Sequence, residues 1–176
     1  IACCLVGSEM CIRDRIEFTN PMTSADLLER GGYVYIQKSQ LGGGSPMIRG
    51  LSTNRLVLSV DGVRLNNAIF RSGNIHNVIS ISPMNIENTE VIMGSASVLY
   101  GSDAIGGVMN FYTKKAKLSN DSNPNIQINI NSRYSSASNE KMYHTDFNYG
   151  LKKIGFLSSF SKSDFGDLTM GVHGPS

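Results

Sequence analysis

The chain has 176 residues, 16 Lys and Arg against 14 Asp and Glu, a formal charge of +2 and no tryptophan. That length allows one domain with a real core, or one domain plus part of a second. A balanced charge with only 17% charged residues excludes the basic footprint of a nucleic-acid binder, and no apolar run approaches the ~20 residues of a membrane-spanning helix.

All three cysteines, Cys3, Cys4 and Cys11, lie at the N-terminal end. "IACCLVG" is apolar but lacks the basic lead and small-residue cleavage site of a signal peptide. "CLVGSEMCIRDR" resembles a translated sequencing-adapter tract. Residues 1–18 are therefore expected to be a non-native or disordered segment, with residues 1–15 making few contacts and the native N-terminus missing. The cysteines then say little about redox compartment.

From Thr19 the pattern becomes orderly. Thr23 followed by Asp26 reads as a helix cap, Ala25–Arg30 as a short helix, and Gly31-Gly32 as its left-handed stop. Tyr33–Lys38 is strand-like, and "LGGGSP", Leu41–Pro46, reads as a loop. In "RLVLSVDGVRL" two β-rich runs flank Asp61-Gly62, a hairpin turn favouring positive φ. Ser82-Pro83 marks a turn of helix over Pro83–Glu87, and Glu90–Met93 and Val108–Thr113 read as strands. Between those two strands, Gly94 and Gly101 bracket a helical turn, Ala96–Tyr100, capped by Ser95. Gly106-Gly107 then let the backbone swing into the next strand. The loop is no phosphate cradle, because "GSDAIGGV" carries no lysine where a Walker loop requires one.

Residues 125–164 follow a period of two. In "NIQININSRYS", residues 125–135, isoleucine and tyrosine alternate with Asn, Gln, Arg and Ser. Lys141–Leu151 repeats this with Tyr143, Thr145, Phe147, Tyr149 and Leu151 opposite His144, Asp146 and Asn148. Ile154–Asp164 repeats it again through Ile154, Phe156 and Phe160. Each run has eleven residues, the ~9–11 of a tilted transmembrane strand, and Lys152-Lys153 makes a tight turn between the second and third. Periodicity alone leaves two readings level: the wall of an outer-membrane barrel, or a soluble antiparallel meander with one wet face.

"MIRGLSTNRLVLSVDGVRLNN" and "ENTEVIMGSASVLYGSDAIGGVMNFYTKK" resemble the plug domain of TonB-dependent outer-membrane receptors. The resemblance covers about residues 22–115. It rests on Ile48-Arg49-Gly50, Asp61-Gly62-Val63, Glu90-Val91-Ile92, Ala96 to Gly101 and Ile105-Gly106-Gly107-Val108, in the family's order and spacing. It implies an α+β, β-rich fold: a plug with a mixed sheet and short helices over 19–115, then about three antiparallel strands of a truncated barrel over 116–176. In the family the complete barrel has about 22 strands and encloses the plug.

The resemblance further implies a location in the outer membrane of a Gram-negative bacterium, with outer-membrane lipid around the barrel. The partners it implies are the energy-transducing TonB complex, whose box is not found in this chain, and a scarce nutrient such as a ferric siderophore or haem. "GSDAIGGV" is similar to the siderophore, haem and cobalamin branches rather than the glycan-importing branch. Arg49 matches the family's plug arginine and is expected to contact the barrel, while Met93 stands where the family often has a second arginine. Gly50, Asp61, Gly62, Gly94, Gly101, Gly106 and Gly107 match the plug's turn motifs.

Asn66–Ser80 resembles plug segments of haem and ferric-siderophore receptors, which makes Arg71, Asn74 and His76 a candidate substrate-facing loop. His76 reads more readily as a loop histidine bonded to its neighbours than as a haem ligand, since no second ligand accompanies it. Arg71 reads equally as a solvated charge. No cofactor, resident metal or nucleic acid is expected. His76, His144 and His173 have no carboxylate or cysteine at metal-ligand spacing, and no serine sits in a nucleophile elbow, so an enzyme is not expected. The alternative to a transporter fragment is a soluble β-rich adhesion or interaction module.

Overall fold

The computed structural model describes residues 8–12, 16, 18–32, 34–38, 44–52, 55–65, 81–94, 97–120, 123–136 and 138–166. The chain divides into two compact units, residues 1–114 and 115–176.

In the first unit a five-stranded sheet has the order β1-β7-β8-β5-β6. Its strands are β1 (Ser8–Ile12), β5 (Leu56–Val60), β6 (Val63–Arg64), β7 (Ile86–Met93) and β8 (Gly107–Thr113). β5 and β8 run parallel, from Leu56↔Gly107 to Val60↔Phe111, while the other pairs are antiparallel. The parallel pair is central and its residues are buried almost without alternation, as expected of strands covered on both faces. A second sheet joins β2 (Tyr35–Lys38), β3 (Gly44–Ile48) and β4 (Leu51–Ser52). Helix α1 (Ser24–Arg30) buries Ala25, Leu27 and Leu28 in the core shared with Ile36, Ile48, Leu58, Ile86, Met109 and Phe111.

Local chemistry explains the boundaries. The Thr23 hydroxyl accepts the Asp26 N–H at 3.2 Å, and the Asp26 carboxylate accepts the Thr23 N–H at 2.9 Å. That reciprocal capping box fixes the start of α1. Asp61 and Gly62 have φ of 50° and 81° between paired Val60 and Val63, the signature of a two-residue hairpin turn of type I′. Arg49 and Gly50 repeat it with φ of 51° and 77° between paired Ile48 and Leu51.

Three expectations differ in detail, and one is described only in part. The helical turn at Pro83 is a 3-10 turn over Pro83–Asn85, and β7 already begins at Ile86. Gly44–Pro46 belong to β3 rather than to a loop; the proline is tolerated because only four-residue β2 and two-residue β4 flank it. Helix α2 spans Ser97–Tyr100, with Ser95 and Ala96 outside the described residues. Finally, residues 8–12 of the segment expected to lie apart form strand β1, paired from Ser8↔Ile92 to Ile12↔Asn88. The pairing is backbone-driven: β7 would otherwise present an open edge of N–H and C=O groups that any β-prone segment can cover.

The second unit holds an antiparallel meander, β11-β10-β9, of β9 (Asn125–Ser135), β10 (Glu140–Gly150) and β11 (Gly155–Asp164). Register is continuous, Ile130 facing Thr145 and Thr145 facing Phe160. It agrees with the three antiparallel strands expected from the period of two and with the incomplete barrel sheet that the resemblance implies.

Candidate functional site

The meander's two faces carry opposite chemistry, and along its central strand β10 their burial is the reverse of a soluble sheet. Along β10 every second residue is buried, and these are Glu140, Met142, His144, Asp146, Asn148 and Gly150. The other face exposes Ile128 at 61%, Ile130 at 77% and Phe156 at 58%, whereas His144 and Asp146 are each 3% exposed. Ile126, Tyr134, Tyr143, Phe147, Tyr149 and Phe160 continue the exposed apolar face. A soluble meander would bury the aromatic face and wet the polar one. An eleven-residue strand is about 34 Å long and, tilted by ~40°, stands about 26 Å tall, close to the ~25 Å apolar band of an outer-membrane barrel.

The buried polar face is a network. Arg133 Nη2 lies 2.5 Å from Glu140 Oε1, with the Glu140 side chain fully buried. His144 Nδ1 is 2.6 Å from Ser161 Oγ across the β10–β11 pair. Its Nε2 stands 2.8 Å from Asp146 Oδ1, at ion-pair distance though not in hydrogen-bond alignment. Asn148 binds the backbone ahead of β9: the Lys117 N–H donates to Asn148 Oδ1 at 2.9 Å, and Asn148 Nδ2 donates to the Lys117 carbonyl at 3.1 Å.

In the first unit the expected motif residues hold turns and close approaches. The Asp61 carboxylate accepts the Thr113 N–H at 2.9 Å and the Thr113 hydroxyl at 2.6 Å, tying the hairpin to the end of β8. The Gly106 N–H donates to the Arg55 carbonyl at 2.7 Å, so close that a Cβ there would sit 2.8 Å from that oxygen. At Gly107 a Cβ would stand 2.7 Å from the Ile92 carbonyl oxygen. Gly94 and Gly101 have φ of 102° and 95°, and Gly101 opens the 3-10 turn Ser102–Ile105, whose Asp103 pairs with Arg64 on β6. Asn110 on β8 donates to the Tyr100 hydroxyl at 3.0 Å and to Glu90 at 3.4 Å. Tyr112 also reaches Glu90. Burial, then the charge of Glu90, raises the Tyr112 phenol above its ordinary pKa.

Arg49 sits exposed at the tip of the β3–β4 turn and makes no ion pair among the described residues. Arg71, Asn74 and His76 lie outside the described residues. Among the described residues no three His, Cys, Asp or Glu gather as a metal site. Sequence reasoning placed His144, Asp146 and Asn148 on one face but missed their partners. The Asn148 bond to Lys117 joins residues far apart in sequence, and only the two glycines Gly150 and Gly155, ending β10 and opening β11, hinted that a chain crosses there.

A family profile described as TonB-dependent Receptor Plug Domain matches residues 11–108. Among curated proteins, the Vitamin B12 transporter BtuB of Vibrio vulnificus is 36% identical over 122 residues, covering 67% of this chain and 19% of that protein. The Heme/hemopexin utilization protein C of Haemophilus influenzae is 38% identical over 94 residues, covering 53% of this chain and 13% of that protein. The chain thus spans a fifth or less of the length of these relatives. Among solved structures, Copper transporter OprC superposes with a TM-score of 0.76 at 18% identity, covering 91% of this chain and 24% of that one. The ferric enterobactin receptor PfeA gives 0.69 at 18% identity, covering 92% and 25%. At those identities the likeness is one of fold.

Proposed function

Because the chain belongs to the family of TonB-dependent receptor plug domains, whose members sit in the Gram-negative outer membrane, we propose that it is the plug and first wall strands of a nutrient receptor. Its partners in this reading are the TonB complex, which supplies energy, and a bulky metal chelate of the ferric-siderophore, haem or cobalamin kind. The relatives' names point to that class: one transports vitamin B12 and another utilises haem. The reading is of a carrier, not an enzyme. Residues 19–115 are assigned to the plug and residues from 116 onward to the wall. Arg49 is assigned to the plug–barrel contact, and Arg71, Asn74 and His76 to the substrate-facing loop.

The observation that carries the proposal is the inverted burial along β10, the central strand of the meander, with apolar residues of β9 and β11 exposed on either side of it. Burying His144, Asp146 and Glu140 while exposing Ile128, Ile130, Phe147 and Phe156 is unfavourable in water and favourable where hydrocarbon faces one side and a filled polar interior the other. The soluble interaction module demands the opposite burial. The test is growth of the source bacterium, with and without the complete gene, on haemin, cyanocobalamin or ferric enterobactin as limiting nutrient, in backgrounds with and without TonB. A TonB-dependent defect on any of these supports the receptor. Normal growth on all three, together with recovery of the protein in the soluble fraction, contradicts it.

A further inference from the structure

Residues 116–119 precede β9 and lie outside every strand, yet they are held as firmly as one. Asn148 pairs with the Lys117 backbone in both directions, at 2.9 and 3.1 Å, as a neighbouring strand would. The Ser119 N–H donates to the Leu151 carbonyl at 3.2 Å, and the Leu151 N–H to the Ile154 carbonyl at 2.7 Å, closing the turn beneath it.

Two glycines clear the path. A Cβ on Gly150 would lie 2.0 Å from the Lys117 carbonyl oxygen, and one on Gly155 would lie 2.9 Å from Ala116 Cβ. No side chain fits at Gly150, so the crossing segment and the β10–β11 end are built for each other. On the other side, the Lys114 N–H donates to the Asn85 carbonyl at 3.0 Å within the first unit. Only Lys115 and Ala116 separate the two anchorages.

We propose that residues 117–119 are an integral part of the wall, a strap clamped by Asn148 as positioning residue. The proposal rests on the receptor reading only in calling the sheet a barrel wall. Amide exchange reads the clamp itself, whether or not the receptor imports anything.

The experiment is hydrogen exchange of the complete receptor in detergent micelles through a denaturant series. The amides of Lys117 and Ser119 are expected to be protected and to lose protection together with those of β10, after the amides of Met109 and Phe111 on β8 have opened. Asn148→Leu, of similar volume but unable to bond, should speed Lys117 exchange at least tenfold while Tyr143 keeps wild-type protection. Asn148→Asp, which retains the acceptor for the Lys117 N–H, should restore part of that loss. Lys117 opening in step with β8, or exchanging at the rate of free peptide in the wild type, would overturn the strap. Should Asn148→Leu fail to fold, the wild-type series decides alone.

Discussion

Asp61 tolerates a left-handed backbone at φ 50°, and its carboxylate takes both donors of Thr113. Asp61→Ala loses those bonds and puts alanine in a conformation it disfavours. The expected destabilisation of the plug is about 1–3 kcal/mol, read as faster exchange of β8 amides, and Asp61→Asn should cost less. Gly106→Ala drives a methyl into the Arg55 carbonyl and Leu56, for about 1–3 kcal/mol by the same readout. At Tyr112 the raised pKa sets a sign. Its contribution to stability is full below the unfolded value near 10 and is lost as pH rises through that value toward the folded one. Spectrophotometric titration should show a tyrosine ionising late, and Glu90→Gln should bring it earlier by removing the charge, though not the burial. The Asp61-Gly62 turn was legible in sequence because its chemistry is local. The reason for Gly106 was not, since the carbonyl it accommodates belongs to Arg55, just ahead of β5 and far away along the chain.

Strands written in a period of two were legible nearly to the residue. The runs expected at 125–135, 141–151 and 154–164 appear as Asn125–Ser135, Glu140–Gly150 and Gly155–Asp164. What periodicity could not assign was which face is buried, because alternation is symmetric until something covers one side. Helix α1 was legible through its cap, and Thr23→Ala is expected to cost about 0.5–2 kcal/mol, seen as faster exchange of the Asp26 and Leu27 amides. Pro83 misled because the same Ser-Pro signal opens a 3-10 turn when β7 must begin at Ile86 to pair with Thr113. Strand β1 was missed for a different reason. Its place is set by the exposed edge of β7 rather than by any pattern of its own, so removing residues 1–12 should leave the β7–β8 pairing protected and speed exchange only along β7's outer edge.

For the whole molecule the decisive property is which medium each face of the meander meets. In water the exposed row Ile126, Ile128, Ile130, Phe147, Tyr149, Phe156 and Phe160 would be an aggregation liability, while in a bilayer it is the solvated face. A charge placed there distinguishes the two. Phe147→Arg at mid-strand should cost about 2–4 kcal/mol of barrel stability in lipid, whereas Ser132→Arg, nearer the strand end, should cost about 1 kcal/mol or less. The most direct measurement is collision accessibility of single nitroxide labels on β9 and β10 in the complete receptor, reconstituted in vesicles. The labels are placed in turn at Ile126, Gln127, Ile128, Asn129 and Ile130, and at Phe147, Asn148 and Tyr149. The lipid-facing account predicts that 126, 128, 130, 147 and 149 collide with membrane-dissolved oxygen and are hidden from a water-soluble nickel chelate, while 127, 129 and 148 show no such preference for oxygen. Free access of the nickel chelate to 128, 130 and 147 would contradict it.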